Sequence, residues 1–286
     1  MSTLRAEVVA ATRALADAGV PSPEADALAL AAHVLGCEVS DVRRRMVLLE
    51  ECDAGFAGRY AGLVAERGAR LPLQHLTGRA PFRHLTLSVG PGVFTPRPET
   101  EVVAGFAIEA ARASGVAPVV VDLCTGSGAI ALAVADEVPG ATVHAVELSV
   151  EAHAWAARNV EATGLPVELR LGDATTAYPD LDGTVDVVVS NPPYIPVGMV
   201  PLDPEVRDHD PEVALYGGSE DGLAIPLAVA RRAAGLLRPG GTLVMEHADS
   251  QGETLPSALR RTGEWTDVVD HADLTGRPRA SVATRA

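Results

Sequence analysis

Asn191-Pro192-Pro193-Tyr194 follows the apolar run "VDVVVS", and stopping a strand needs nothing so elaborate. The four residues suit a flat nitrogen group. An amide nitrogen is a weak nucleophile because its lone pair is delocalised into the carbonyl. If two acceptors hold both N–H bonds, the nitrogen is fixed and its lone pair can point at an electrophile. The side-chain oxygen of Asn191 is one acceptor, and a backbone carbonyl of the Pro192-Pro193 pair is the second. Prolines have a fixed φ and no N–H, so those carbonyls stand rigidly without a competing donor. Tyr194 offers a face on which a planar amide or base can stack. Asn191, Pro192 and Tyr194 are therefore candidate catalytic residues, and Asn191, Pro192, Pro193 and Tyr194 are candidate substrate contacts. Catalysis at such a site is mainly proximity and orientation.

A second constellation lies upstream, where "VVVDLCTGSGAIA" joins a strand to a helix through Gly126-Ser127-Gly128. Ligands of open α/β sheets bind beyond the carboxyl ends of the strands. Glycines there let backbone N–H groups approach a ligand closely, because no Cβ stands in the way. Glu147 closes the next strand about 20 residues later, where a carboxylate can accept bonds from two ribose hydroxyls. Two cofactors fit. Gly126-x-Gly128-x-x-Ala131 with Glu147 meets the dinucleotide fingerprint, which leaves a nicotinamide enzyme open. Adenosylmethionine fits as well. Asp122 favours it, since an acid there can orient the loop or meet the ammonium group of a methionine moiety.

These residues need a sheet to carry them, and the pattern supplies one. After Pro118 the chain alternates: strand "VVVDLC", helix "GAIALAVADEV", strand "ATVHAVEL", helix "SVEAHAWAARNVEATG" capped by Ser149, then strands "VELRLGD" and "TVDVVVS". Helix "DGLAIPLAVARRAAGLLRPGG" and strand "TLVMEHA" follow, and the tail can supply two last strands. Such alternation predicts a doubly wound α/β sheet with helices on both faces. Residues 3–68 read as helical. Leu4, Val8, Ala11 and Leu15 recur at helical spacing, Ser22-Pro23 opens a second helix that stops at Gly36, and "GFAGRYAGLVAERGAR" gives a further one. "FRHLTLSVGPGVFTPRPET" alternates Leu85, Leu87 and Val89 before a Gly-Pro-Gly turn, which predicts a β-hairpin or extended connector. The expected organisation is 1–78 helical, 79–98 hairpin linker and 99–286 α/β domain.

Composition narrows the partners. The net charge of −15 opposes general nucleic-acid binding, which needs a basic footprint. No sequence-specific nucleic-acid binding is expected. Three cysteines at wide spacing, Cys37, Cys52 and Cys124, suggest neither disulfides nor a zinc site, and no metal is expected. No apolar run is long enough for a membrane span, and the start lacks a signal-peptide layout, so a cytoplasmic location is expected. One stretch, 67–98, holds no acid but carries Arg67, Arg70, Arg79, Arg83 and Arg97 with His75 and His84. It is either a solvated linker or a docking face for an acidic or phosphate-bearing partner.

The chain resembles the HemK/PrmC family, adenosylmethionine-dependent methyltransferases of the glutamine in peptide chain release factors. "PLQHLTG", "PGVFTPRPETE", "DLCTGSGAIALA", "AVELS", "VSNPPYIP", "DPEVALYGGSEDGL" and "LLRPGGTLVMEHADSQG" carry the resemblance in order along nearly the whole chain. It implies a helical substrate-docking domain, a hairpin linker and a class I (Rossmann-like) methyltransferase domain. It implies S-adenosyl-L-methionine contacts at Cys124, Thr125, Gly126, Ser127, Gly128, Glu147, Asp173, Ala174 and Asn191. It further implies that Asn191 to Tyr194 bind the glutamine amide of a Gly-Gly-Gln loop, with Phe94 and Arg97 nearby. Cys124 stands where glycine is common, Glu147 where many relatives carry Asp, and "EHADSQG" departs from the commoner Glu-x-Gly.

Three other readings compete with a release factor as substrate. Another protein glutamine, such as one in a ribosomal protein, would use the same active-site residues. A nucleic-acid amino group is permitted by "NPPY" but opposed by the charge. A dinucleotide oxidoreductase, or a non-catalytic binding module, rests on the glycine loop alone.

Overall fold

The computed structural model describes residues 2–286. The chain opens with α1 (Leu4–Asp17), α2 (Pro23–Leu35), α3 (Val39–Val47), α4 (Ala54–Gly68) and α5 (Leu73–Thr77). The hairpin strands β1 (Arg79–Phe82) and β2 (Leu85–Ser88) and helix α6 (Pro98–Ala113) follow. Next come β3 (Val119–Leu123), α7 (Ala129–Glu137), β4 (Thr142–Glu147), α8 (Val150–Thr163), β5 (Val167–Leu171) and β6 (Val185–Ser190). The last elements are α9 (Pro204–His209), α10 (Ala224–Leu236), β7 (Leu237–Glu246), α11 (Thr254–Thr262), β8 (Trp265–Ala272) and β9 (Pro278–Arg285). They form two compact units, one of Met1–Arg79 with Pro201–His209 and one of Ala80–Val200 with Asp210–Ala286. No helix among the described residues is long and apolar enough to cross a membrane.

The first unit is helical. Leu4, Val8, Ala11 and Leu15 are all buried on one face of α1, as their spacing requires. Gly36 ends α2 at φ +63°, in the left-handed region that favours glycine. Ser22 does sit at the start of α2, but its side chain makes no capping bond there. Helix α3 falls inside the 3–68 stretch that reads as helical, although the sequence reading gives it no bounds of its own. Its apolar residues recur at helical spacing: Val42 is buried, and Val39 and Met46 are partly buried against the same core.

Arg67 is buried in this unit between two acids. Its Nε lies 2.7 Å from Asp26 and its Nη1 2.7 Å from Glu205 on α9. Arg70 reaches Glu205 too, through Nε at 2.8 Å. The acid-free stretch is therefore no open basic face, because four of its five arginines meet acids brought from elsewhere in the chain. In the second unit Arg83 pairs with Glu137 (Nη2–Oε2 2.9 Å) and Arg97 with Asp210 (2.9 Å). Among the described residues only Arg79 of the five is exposed without an ion pair.

The second unit is a doubly wound sheet in the order β5-β4-β3-β6-β7-β9-β8, with only β9 running against the rest. Alternate residues of its strands enter different cores. Val120, Val187 and Val189 pack with α6 and α7 on one face, and Val121, Val188 and Leu243 pack with α10 and α11 on the other. The direction of winding reverses between β3 and β6, which are neighbours. That is where open α/β sheets bind ligands.

Two local expectations shift. The hairpin turns at Arg83-His84, with Arg83 at φ +51°, and not at Gly90-Pro91-Gly92. Gly90 instead makes room for a neighbour, since a Cβ there would stand 2.6 Å from the Trp155 ring. Strand β7 starts at Leu237, before the Pro-Gly-Gly expected as a turn, because Leu237 already pairs with Val185 and an irregularity in the ladder absorbs those residues.

Candidate active site

Parallel pairing of β3 with β6 sets Leu123 beside Ser190. The next residues, Cys124 and Asn191, therefore leave the sheet side by side. One enters the glycine loop and the other the Asn-Pro-Pro-Tyr turn, so two motifs 67 residues apart share one edge.

The loop is held from beneath by Asp122, which is fully buried. Its Oδ2 accepts from the Thr125 hydroxyl at 2.6 Å and from the Ala131 N–H at 3.1 Å. Asp122 thus orients the loop through Oδ2, while its Oδ1 is buried without a hydrogen-bond partner. Burial pushes its carboxyl up to about 7, against the pull of those two bonds. Cys124 stands at φ +69°, which explains why glycine suits this position. Burial, with Glu147 next, raises its thiol, so it is not a thiolate nucleophile at neutral pH. Thr125 and Ser127 are buried, and their backbone braces the loop: the Thr125 N–H donates to the Val146 carbonyl at 3.0 Å and the Thr125 carbonyl accepts from the Gly128 N–H at 2.9 Å.

Glu147 ends β4 next to the loop. Its Oε2 accepts from the Gly126 N–H and its Oε1 from the Ser149 N–H, each at 2.8 Å. Burial raises its carboxyl and these bonds oppose the rise. Each oxygen keeps acceptor capacity for a hydroxyl. The carbonyl of Glu147 also accepts from Gly172 at 2.8 Å, which brings the end of β5 alongside. Asp173 there is exposed and accepts from Thr175, whereas Ala174 packs into the core.

Asn191 is partly buried, and its side-chain amide makes no hydrogen bond within the chain among the described residues. An amide folded into this edge and left unused is available to a ligand. Pro192 and Pro193 are buried behind it. The turn that follows is tightly braced. Gln251 is 4% exposed, and its Nε2 donates to the carbonyls of Tyr194 (3.0 Å) and Asp221 (2.9 Å). Ile195 and Val197 bond to the backbone of Leu215 and Ser219 at 2.8 and 2.9 Å. Gly222, at φ +73°, lies so close that a Cβ there would sit 2.1 Å from the Tyr194 carbonyl oxygen. Thus "ALYGGSEDGL" is the brace of the turn. Sequence reasoning quoted this stretch without a role, and the bunched glycines were the available signal.

Arg97 lies over the Phe94 ring, its guanidinium carbon 5.4 Å from the centroid, and its charge is felt at Tyr194. Burial and the nearby Glu246 raise the Tyr194 hydroxyl above its ordinary range, so it stays protonated. Two further residues escaped the sequence reading. Asn159 on α8 accepts from the Ser88 N–H at 2.7 Å and donates to the carbonyls of Ser88 and Ser127 at 3.0 and 2.9 Å. Glu246, at the end of β7, is 1% exposed.

The loop fits adenosylmethionine. Nothing lies within 4 Å of the place a Cβ would take at Gly126, so the backbone there faces open space beside the Glu147 carboxylate. Family models agree with this architecture. "PrmC N-terminal domain" matches residues 8–78 and "Methyltransferase small domain" matches 68–199. A Streptomyces coelicolor relative named "Release factor glutamine methyltransferase" is 57% identical, over 100% of this chain and 99% of its own length. A 4-amino-L-phenylalanine/4-methylamino-L-phenylalanine methyltransferase of Streptomyces pristinaespiralis is 42% identical, over 92% of this chain and 89% of its own. A T. thermophilus 16S rRNA methyltransferase, solved with AdoMet and guanosine, shares the fold at TM-score 0.52 and 24% identity, covering 73% of this chain and 50% of that one. Identity sustained from end to end, over both the helical unit and the sheet that carries the two motifs, is more than a shared fold would give: the chain belongs to the release factor glutamine methyltransferase family, whose cofactor is S-adenosyl-L-methionine.

Proposed function

We propose that this enzyme methylates the side-chain amide nitrogen of the glutamine in the Gly-Gly-Gln motif of peptide chain release factors. The observation that carries the reading is the unused Asn191 amide standing beside the glycine loop at the β3–β6 edge. When bound, S-adenosylmethionine would supply an electrophilic methyl group, its sulfur keeping the bonding pair as a neutral thioether, and the amide nitrogen that gains the methyl would give up one N–H proton to solvent. Glu147 would hold the ribose hydroxyls, and Cys124, Thr125, Gly126, Ser127 and Gly128, with Asp173, Ala174 and Asn191, would line the rest of the cofactor site. The Asn191 side-chain oxygen accepts one N–H of the glutamine amide and the Pro192 carbonyl accepts the other. Pro193 stiffens the turn and Tyr194 stacks on the amide plane. The site supplies position more than chemical activation, which is worth several powers of ten in rate. Release factors work in translation, so the cytoplasm is its compartment, and no membrane or sequence-specific nucleic-acid contact is needed.

The test is mass spectrometry of a release factor after incubation with enzyme and cofactor, locating the added methyl by residue. Methyl on the glutamine of Gly-Gly-Gln, with a loss of about a hundredfold or more in Asn191→Ala, supports the reading. A release factor that stays unlabelled while the cofactor binds refutes it. The 42%-identical relative favours one second reading, an aromatic amine on a free amino acid, which is again a flat nitrogen. Parallel incubations with 4-amino-L-phenylalanine, ribosomal protein and RNA separate it from the remaining alternatives.

A further inference from the structure

Glu246 is a buried carboxylate without a cation. Its Oε2 has no hydrogen-bond partner, and its Oε1 lies 3.5 Å from the Tyr194 hydroxyl. Arg279 on β9 is the nearest candidate to neutralise it, but that guanidinium is turned to Asp273 (3.4 Å) and to the His247 carbonyl (3.3 Å). The other groups facing Glu246 are the Tyr194 hydroxyl and, from α6, Glu99 and the Thr100 hydroxyl, which pulls the carboxyl down. His247, next in the chain, is engaged with Asp270 at 2.8 Å. An uncompensated buried carboxylate opposes folding, and such groups cluster at functional sites. Its position supplies the reason. The β6–β7 ladder sets Met245 beside Ser190, so Glu246 comes level with Asn191 at the start of the turn.

We propose that Glu246 is a positioning residue that holds the Tyr194 ring through its hydroxyl and, by gaining or losing a proton, sets whether the ring is fixed for stacking on the substrate amide. This rests on the function proposed above. The ionised carboxylate is the stronger acceptor for a hydroxyl. Once protonated, it holds Tyr194 weakly and the ring is free to turn about its side-chain bonds. Burial pushes the Glu246 carboxyl up to about 7, opposed by the Thr100 hydroxyl and Arg279, so the change falls near neutrality. Activity should then decline as pH drops through that range.

The experiment is single-turnover methyl transfer to a release factor across neutral pH, with wild type, Glu246→Gln and Tyr194→Phe, alongside cofactor Kd and melting temperature. Wild type should show one acid limb. With cofactor saturating at every pH, so that titration of Asp122 beneath the cofactor loop is read in Kd and not in the rate, Glu246→Gln should be flat with pH and slower than the wild-type plateau by about tenfold, the worth of one charge-assisted hydrogen bond. Tyr194→Phe should also be flat, because its link to Glu246 is gone, and cofactor Kd should stay unchanged in both variants. Survival of the acid limb in Glu246→Gln, or a wild-type rate without one, overturns the proposal. A Glu246→Gln variant that loses only melting temperature also overturns it. A wild type that binds cofactor but labels no release factor sinks the function instead, and Glu246 is then read by carboxyl NMR, its signal assigned by loss in Glu246→Gln. A midpoint near neutrality that moves in Tyr194→Phe supports the coupling, and a midpoint that Tyr194→Phe leaves unmoved refutes it.

Discussion

Asn159 is the side chain on which the cofactor loop hangs, and Asn159→Ala should show it. The buried amide serves three backbone groups at once, the Ser88 N–H and the carbonyls of Ser88 and Ser127. An intramolecular hydrogen bond contributes about 0.5–1.5 kcal/mol net, and a buried group left unpaired costs more, so three lost bonds amount to about 3 kcal/mol. At roughly 2–4 °C per kcal/mol the melting temperature should fall by roughly 6–12 °C. Release of the Ser127 carbonyl should also loosen the loop and weaken S-adenosylmethionine by about tenfold, or about 1.4 kcal/mol. Asn159→Asp is the sharper comparison. It keeps the acceptor for the Ser88 N–H but sets a carboxylate oxygen against two carbonyl oxygens. Its damage should lessen on acidification, when the protonated carboxyl donates again, while that of Asn159→Ala should not. Thermal melts and cofactor titrations across pH check both. An Asn159→Ala variant with unchanged melting temperature and cofactor Kd refutes the reasoning.

Two other perturbations test the frame. Gly222→Ala drives a methyl group into the Tyr194 carbonyl at a residue already in the left-handed region. It should spare cofactor binding by calorimetry and cut methyl transfer by about a hundredfold, as a displaced reacting group does; normal transfer would show that the turn needs no such brace. Arg67→Met leaves Asp26 and Glu205 buried without their shared cation and should cost about 3–5 kcal/mol in chemical denaturation. Burial alone would raise the Glu205 carboxyl, but its bonds to Arg70, Asp203 and Arg67 hold it well below its ordinary range. Its contribution to stability is therefore fully present above the ordinary carboxylate pKa and lost progressively as pH falls from there through its lowered folded value. Arg67→Met should unfold at a higher pH than wild type, and coincident acid-unfolding curves would count against the ion pair.

Much of the sheet was legible because its signals are local. "VVVDLC" and "VDVVVS" are buried on both faces and read as continuous apolar runs, and Ser149 caps α8 as expected, accepting from Ala152 at 3.2 Å. Helix α3 lies within the stretch read as helical, but its Val39, Val42 and Met46 give too brief a period to mark its ends. The arginines of 67–98 misled for a different reason. Charge counted along the chain ignores acids that folding delivers from afar, and Glu205 reaches Arg70 across 135 residues.

The sequence by itself determined the kind of chemistry, because Asn-Pro-Pro-Tyr and Gly-x-Gly act through backbone rigidity and residue type, which are local properties. It also determined the family, through many motifs kept in order. Tertiary structure decided what those motifs lean on. β3 and β6 became neighbours, which set Cys124 beside Asn191. Gly222 and Gln251 closed on the Tyr194 carbonyl, and Glu246 came level with the motif on the adjoining strand. Strand order and packing arise from contacts between distant parts of the chain, and a pattern read residue by residue carries no record of them.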